Sequence, residues 1–149
     1  MAMLTDPPAA IIKQYLIDQS AGVDPTTSSA DWPIFVGTLP DDDLVKDKAI
    51  AVFDTNPRKD GRDIEDGTTF EHFGIQVLIR SNNYVTGYER LKLVMDKLDV
   101  ALNSSVTYNS TTYTLNNSSR TSFFALGTEP DKRRRETFSV NSLVAISES

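Results

Sequence analysis

The sequence predicts an α+β fold: a mainly antiparallel β-sheet with two helices packed on it, plus a β-hairpin and a long charged loop. Three observations carry this expectation. From Phe70 to Arg80 the chain alternates, with Phe73, Ile75, Val77 and Ile79 on one face, His72, Gly74, Gln76 and Arg80 on the other, and Leu78 breaking the polar side. Directly after it, Tyr84, Tyr88, Leu91, Met95, Leu98 and Leu102 recur at helical spacing, which makes one apolar stripe. From Val106 onward strand formers dominate, and strands segregated from helices in this way argue for α+β rather than for an alternating parallel sheet.

Taken in order, Asp6 before Pro7, Pro8 and Ala9 marks a helix start, because proline is tolerated in a first turn whose amides lack partners anyway. That helix is expected to run to about Ser20 on the apolar positions Ile11, Ile12, Tyr15 and Leu16, with Gly22 as its C-terminal cap. Val23 to Ala30 reads as a linker into a strand at Trp32-Pro33-Ile34-Phe35-Val36. Pro33 cannot donate to a ladder, so this strand belongs at an edge. Pro40 to Asp47 is acidic and loop-like, and Ala49 to Phe53 has the near-continuous apolar pattern of a strand covered on both sides. Residues 54–69 hold Pro57, Gly61, Gly67 and many charges without apolar periodicity, which predicts a long exposed loop.

Ser81-Asn82-Asn83 supplies turn and cap residues for the second helix, whose extra apolar positions Leu93, Val94 and Val100 widen the stripe toward a sheet-covering face. Val106 to Tyr108 and Tyr113 to Leu115 flank a hairpin turn at Asn109-Ser110. Phe123 to Leu126 and Phe138 to Ile146 continue the sheet, with Phe138, Val140, Val144 and Ile146 sharing a face.

A chain of 149 residues with 39% apolar content is one domain's worth of core, and residues 1–149 are read as a single domain. Without cysteine there is no disulfide framework, thiolate metal site or cysteine nucleophile. The start of the chain lacks the basic and apolar pattern of a secretory signal, and no apolar run is long enough to span a bilayer; the expectation is a soluble, intracellular protein with no membrane contact. Asn-X-Ser/Thr triplets at Asn103, Asn109, Asn116 and Asn117 then read as turn chemistry. A net charge of -6 argues against a phosphate-binding surface.

Nothing in the sequence assembles a catalytic site. His72 is the only histidine, it lies inside the best strand, and no Gly-X-Ser-X-Gly elbow accompanies it. One histidine and no cysteine do not make a zinc site, and Asp41-Asp42-Asp43 lacks the spacing of a calcium loop. No Gly-rich phosphate cradle precedes a lysine. The expectation is no catalytic residue, no metal, no cofactor and no enzymatic activity.

Two charged stretches remain. Arg58, Lys59 and Arg62 stand among Asp60, Asp63, Glu65 and Asp66, while Lys132 to Arg135 is flanked by Glu129, Asp131 and Glu136. Mixed-sign patches set the register of a partner, since complementary charges favour one docking and penalise others. The candidate interface residues are therefore Arg58, Lys59, Asp60, Arg62, Asp63, Asp131, Arg133 and Arg134.

The run Ile50-Ala51-Val52-Phe53-Asp54-Thr55, followed after a variable loop by Phe73-Gly74-Ile75-Gln76-Val77-Leu78-Ile79-Arg80, resembles the central strands of the tail-terminator and minor capsid proteins of long-tailed, siphovirus-like bacteriophages. Tyr84, Gly87-Tyr88-Glu89-Arg90 and Met95-Asp96-Lys97-Leu98 look like that family's helix. Leu126 to Asp131 and Phe138-Ser139-Val140-Asn141 look like its closing turn and strand. The likeness covers residues 9–146 and departs from the family at 56–66, where a shorter Gly-containing turn is expected. It implies a homo-oligomer, a hexameric ring that caps the tail tube, stops its polymerisation and forms the head-tail joining interface. The implied partners are the tail-tube protein and the head-tail connector proteins, with DNA only passing through the lumen. The implied place is the tail or neck of a virion assembled in the host cytoplasm. The rival readings are a head-completion or connector protein of the neck and, behind it, a small enzyme or a monomeric binding module.

Overall fold

The computed structural model describes residues 4–25, 32–39, 48–62, 69–101, 103–128 and 135–148, of which 56–62, 69–71 and 121–128 are described by their backbone alone. Among these residues the chain forms α1 (Pro8–Asp18), β1 (Ile34–Val36), β2 (Ala49–Arg62), β3 (Thr69–Ser81), α2 (Tyr84–Asp99), β4 (Ser104–Tyr108), β5 (Thr111–Thr128) and β6 (Glu136–Glu148). The strands make one mixed sheet in the order β1-β2-β3-β6-β5-β4. β1 runs parallel to β2, and the other neighbours are antiparallel. Two helices on a sheet is the α+β architecture that the sequence predicts.

Helix α1 starts with proline in its first turn as expected, but Asp6 is not its cap. Pro7 occupies the N-cap position and its side chain has no acceptor to offer. The free amide of Ala9 instead donates to Oδ1 of Asp54 at 2.9 Å, so the cap comes from β2. Asp6 turns inward: its amide donates to the Tyr113 hydroxyl at 3.1 Å, and that hydroxyl donates back to the Asp6 carboxylate.

The other end is closed by Ser20, whose φ of 61° reverses the chain. Its amide donates to Ile17 O at 3.0 Å and that of Ala21 to Leu16 O at 2.9 Å, the double closure of a Schellman motif. Gly22, expected as the cap, has a different task. A Cβ there would stand 2.6 Å from two carbons of Ile34 and 2.7 Å from the Trp32 carbonyl oxygen, so only glycine lets the chain pass β1 this closely.

The largest departure from the sequence expectation lies at 54–69. Strand β2 continues to Arg62 and β3 already begins at Thr69, paired from Ala49↔Arg80 to Arg62↔Thr69 with register shifts at Thr55/Arg58 and Lys59/Gly61. The loop reading is corrected for those residues. Alternation reports one-sided burial, whereas backbone pairing needs none, and each bulge also resets which side a residue faces. Strand β5 likewise absorbs the separate piece expected at Phe123 to Leu126, with shifts at Leu115/Asn117, Arg120/Ser122 and Ala125/Gly127.

Elsewhere the periodicity holds. Ala49, Ile50, Ala51 and Val52 are all fully buried, as a strand covered on both faces requires. Asn109 and Ser110 have φ of 51° and 68°, and Tyr108 pairs with Thr111; this is the type I′ hairpin that twists with its strands. β1 is an edge strand, with Pro33 just outside it bridging to Val23.

One face of the sheet builds the core: Ile50 and Val52, Ile75, Val77 and Ile79, Phe138, Val140, Val144 and Ile146, Tyr113 and Leu115, and Val106. α1 brings Ile11, Ile12, Tyr15 and Leu16 to it, and α2 brings Leu91, Val94, Met95 and Leu98. Each such aliphatic side chain contributes roughly 1.5–3 kcal/mol on burial, so the two helices are held mainly by this stripe. α1 touches β1, β2 and β4, the first and last being opposite edges of the sheet. Flat, six strands would span about 24 Å against a helix about 10 Å wide, so the sheet must curl around α1. Side chains then lock the helices together. The Tyr15 hydroxyl donates to the Lys97 carbonyl in the last turn of α2, and Arg90 donates from Nη1 to the Ala21 carbonyl at 2.9 Å.

Candidate functional site

Strand pairing itself sets one region apart. β3 and β6 separate after Phe73↔Val144, while β2–β3 pairing continues to Arg62↔Thr69 and β6 stays with β5 to Tyr113↔Glu148. Residues 58–62 and 69–72 therefore leave the sheet as a two-stranded arm. Arg58, Lys59, Asp60 and Arg62 all lie on it, with Arg58 opposite His72, Lys59 opposite Glu71 and Arg62 opposite Thr69. Asp63 lies outside the described residues.

Asp131, Arg133 and Arg134 also lie outside the described residues, between Thr128 and Glu136, which pair with each other and, through Glu136, with Ser81. The ends that carry the two charged stretches are thus the two ends of β3, Thr69 and Ser81. Twelve residues of extended chain separate them, about 40 Å. Of the eight candidates, the described residues hold Arg58, Lys59, Asp60 and Arg62, all on the arm. The neighbouring member of the basic run, Arg135, is fully buried at the start of β6, and Arg80 of β3 is 1% exposed. Both are partnered, as buried guanidinium groups must be.

Sequence periodicity missed a second surface. It assigned Tyr84, Tyr88 and Val100 to the buried stripe of α2, yet they are 53%, 48% and 65% exposed, and Val85 beside them is 62% exposed. Helical spacing fixes the direction a residue faces but not how far the sheet reaches beneath it. Tyr84 still touches Phe138 edge-on, with ring centroids 5.2 Å apart. On the adjoining side of α2, Trp32, Thr86, Glu89, Arg90 and Leu93 line an open groove of about 220 Å³, and the Arg90 guanidinium sits 4.8 Å from the Trp32 ring centre.

Among the described residues no group of three or more His, Cys, Asp or Glu side chains is placed to hold a metal ion, and no helix is long and apolar enough to cross a membrane. His72 is half-buried where the arm leaves the sheet, opposite Arg58. What these surfaces offer is contact area and open backbone edges.

Comparison with known proteins agrees with that description. Residues 15–140 match the sequence profile of a family described as "Bacteriophage tail terminator protein". Among solved structures, a chain of the "Virion of native gene transfer agent (GTA) particle" superposes with a TM-score of 0.53 at 12% identity, covering 95% of each chain, which shows a shared fold. No curated protein matches the sequence.

Proposed function

The chain belongs to the bacteriophage tail terminator family, a family of virion structural proteins, and from that premise we propose that it closes the phage tail as a ring. In this reading several copies, six by the family resemblance, form a hexameric ring on the end of the tail tube. The ring stops tube polymerisation and presents its opposite face to the head-tail connector proteins in the neck. The protein acts by contact and carries out no catalysis. DNA passes through the lumen and is not bound, and assembly takes place in the host cytoplasm.

The observation that carries the reading is the family match across residues 15–140, since it runs from the last turn of α1 through α2 and most of the sheet rather than over one motif. The arm supports it. A two-stranded ribbon outside the core contributes little to the fold of its own subunit, and its mixed charges suit a defined partner. Repeated heterologous contacts of that kind close into a ring when the rotation between copies closes.

The test is the molar mass of the purified chain, alone and mixed with its tail-tube protein, by light scattering after size exclusion. A closed oligomer, formed alone or only on the tube end, is the expected result. A monomer that ignores the tube and instead binds connector proteins would move the assignment to a head-completion protein.

A further inference from the structure

Resting on the ring reading, we infer that the outer edge of β4 in one copy takes the neighbouring copy's arm as an added strand, through the β3 edge at Thr69–His72. The two edges of the sheet are unequal. β1 is three residues long, is preceded by Pro33, which has no amide hydrogen, and is bridged on its outer side by Val23. Those are the devices that blunt an edge. β4, Ser104 to Tyr108, has no proline, no charge and no register shift.

The hairpin fixes which backbone groups of β4 point outward. Tyr108 and Thr111 close the two-residue turn and so exchange hydrogen bonds, and the alternation makes Val106–Tyr113 and Ser104–Leu115 bonded pairs too. The N–H and C=O of Ser105 and Thr107 therefore face away from β5, and both residues are exposed. Among the described residues a second edge without a neighbouring strand lies on the arm, where β3 has lost β6 from His72 down to Thr69. Within one copy β6 and β5 stand between β3 and β4, so a subunit's arm does not fill its own β4 edge. A second copy brings the two open edges together, by strand addition. The contact is heterologous, as ring closure requires.

Amide hydrogen exchange on the full chain tests this, read at Ser105 and Thr107 in dilute monomer, in the self-assembled oligomer and in the oligomer with tail-tube protein, beside the variants Ser105→Pro and Thr107→Pro. Each proline removes one outward amide and none of the β4–β5 bonds. The expected result is at least ~10-fold slower exchange at both amides on self-assembly, and loss of the oligomer in each proline variant that keeps its circular dichroism. An oligomer with both amides unprotected overturns the strand pairing and leaves the ring reading standing. Protection that appears only with tube protein overturns the second copy as the occupant. A chain that stays monomeric with and without the tube overturns the ring reading and this inference together. Should the proline variants not fold, exchange in the unaltered chain decides alone.

Discussion

Gly87 of α2 lies so close to Phe138 of β6 that a Cβ placed on it would stand 2.6 Å from Phe138 Cε2 and 3.2 Å from both Phe138 Cδ2 and the Ser81 Cβ. The helix therefore rests on the sheet at a position without a side chain. In an exposed helix, glycine to alanine would gain up to about 1 kcal/mol. Here the gain is overridden, because Phe138 is 1% exposed and has nowhere to retreat. Gly87→Ala is expected to destabilise the fold by about 1–3 kcal/mol in urea unfolding. Combined with Phe138→Leu, it should cost less than the sum of the two changes, since the second relieves the clash that the first creates.

Asp54 supports α1 from outside the helix. Its Oδ1 is the side-chain partner of the Ala9 amide, and Pro7 cannot replace it. Asp54→Ala is expected to lower stability by about 0.5–2 kcal/mol, while Asp54→Asn, which keeps an acceptor oxygen, should retain most of it. Asp6→Ala acts elsewhere, on the Tyr113 pair, so its effect should add to that of Asp54→Ala if the two contacts are independent.

The pattern of what the sequence disclosed follows from what periodicity measures. Phe73 to Ile79, Phe138 to Ile146 and Leu91 to Leu98 were legible because one-sided burial imprints a period of two or 3.6 on the chain. The Asn109-Ser110 turn was legible because its two left-handed residues restrict composition. Asp54 as a cap was not, since a partner contributed by a distant strand leaves no local signal. The arm leaves no strand signature in the sequence, because its pairing is made by backbone and interrupted by bulges. Tyr84 and Tyr88 carry the right spacing for the core, and only the extent of the sheet below them leaves them exposed. The two charged stretches are legible from composition alone, but composition does not register that the strands flanking them meet β3 at its opposite ends, Thr69 and Ser81.

Tyr113 makes the fold sensitive to base. Burial raises the pKa of its phenol above the ordinary 10.0, and its bond to the Asp6 carboxylate raises it further. A group that is harder to ionise in the folded state than in the unfolded chain contributes stability that is complete below about pH 10 and is lost as pH rises through the folded value. Tyr15 is raised in the same direction, again chiefly by burial. Stability measured by urea unfolding from pH 8 upward should fall above pH 10. Tyr113→Phe should flatten that fall while lowering stability at pH 7 by about 1–3 kcal/mol, because it strands the Asp6 amide and carboxylate.

The arm charges should matter to assembly and not to folding. Arg58, Lys59 and Arg62 follow the point where β2 loses its pairing to β1, on the part of the β2–β3 ribbon that β6 has left. Their backbone positions are thus supported by β3 alone, away from the stripe that holds α1 and α2 to the sheet. Replacing all three by glutamine removes three positive charges, taking the net charge from -6 toward about -9 by simple count, and leaves Asp60 unbalanced on the ribbon. Thermal unfolding of the variant should therefore stay within about 0.5 kcal/mol of the parent, the usual range for surface changes. Light scattering should show a weaker oligomer or weaker tube binding, with the loss greatest at low salt, where the unbalanced charge is least screened. Unchanged ring formation and unchanged tube binding would remove these three side chains from the interface and leave the backbone edges of the arm as its only contribution.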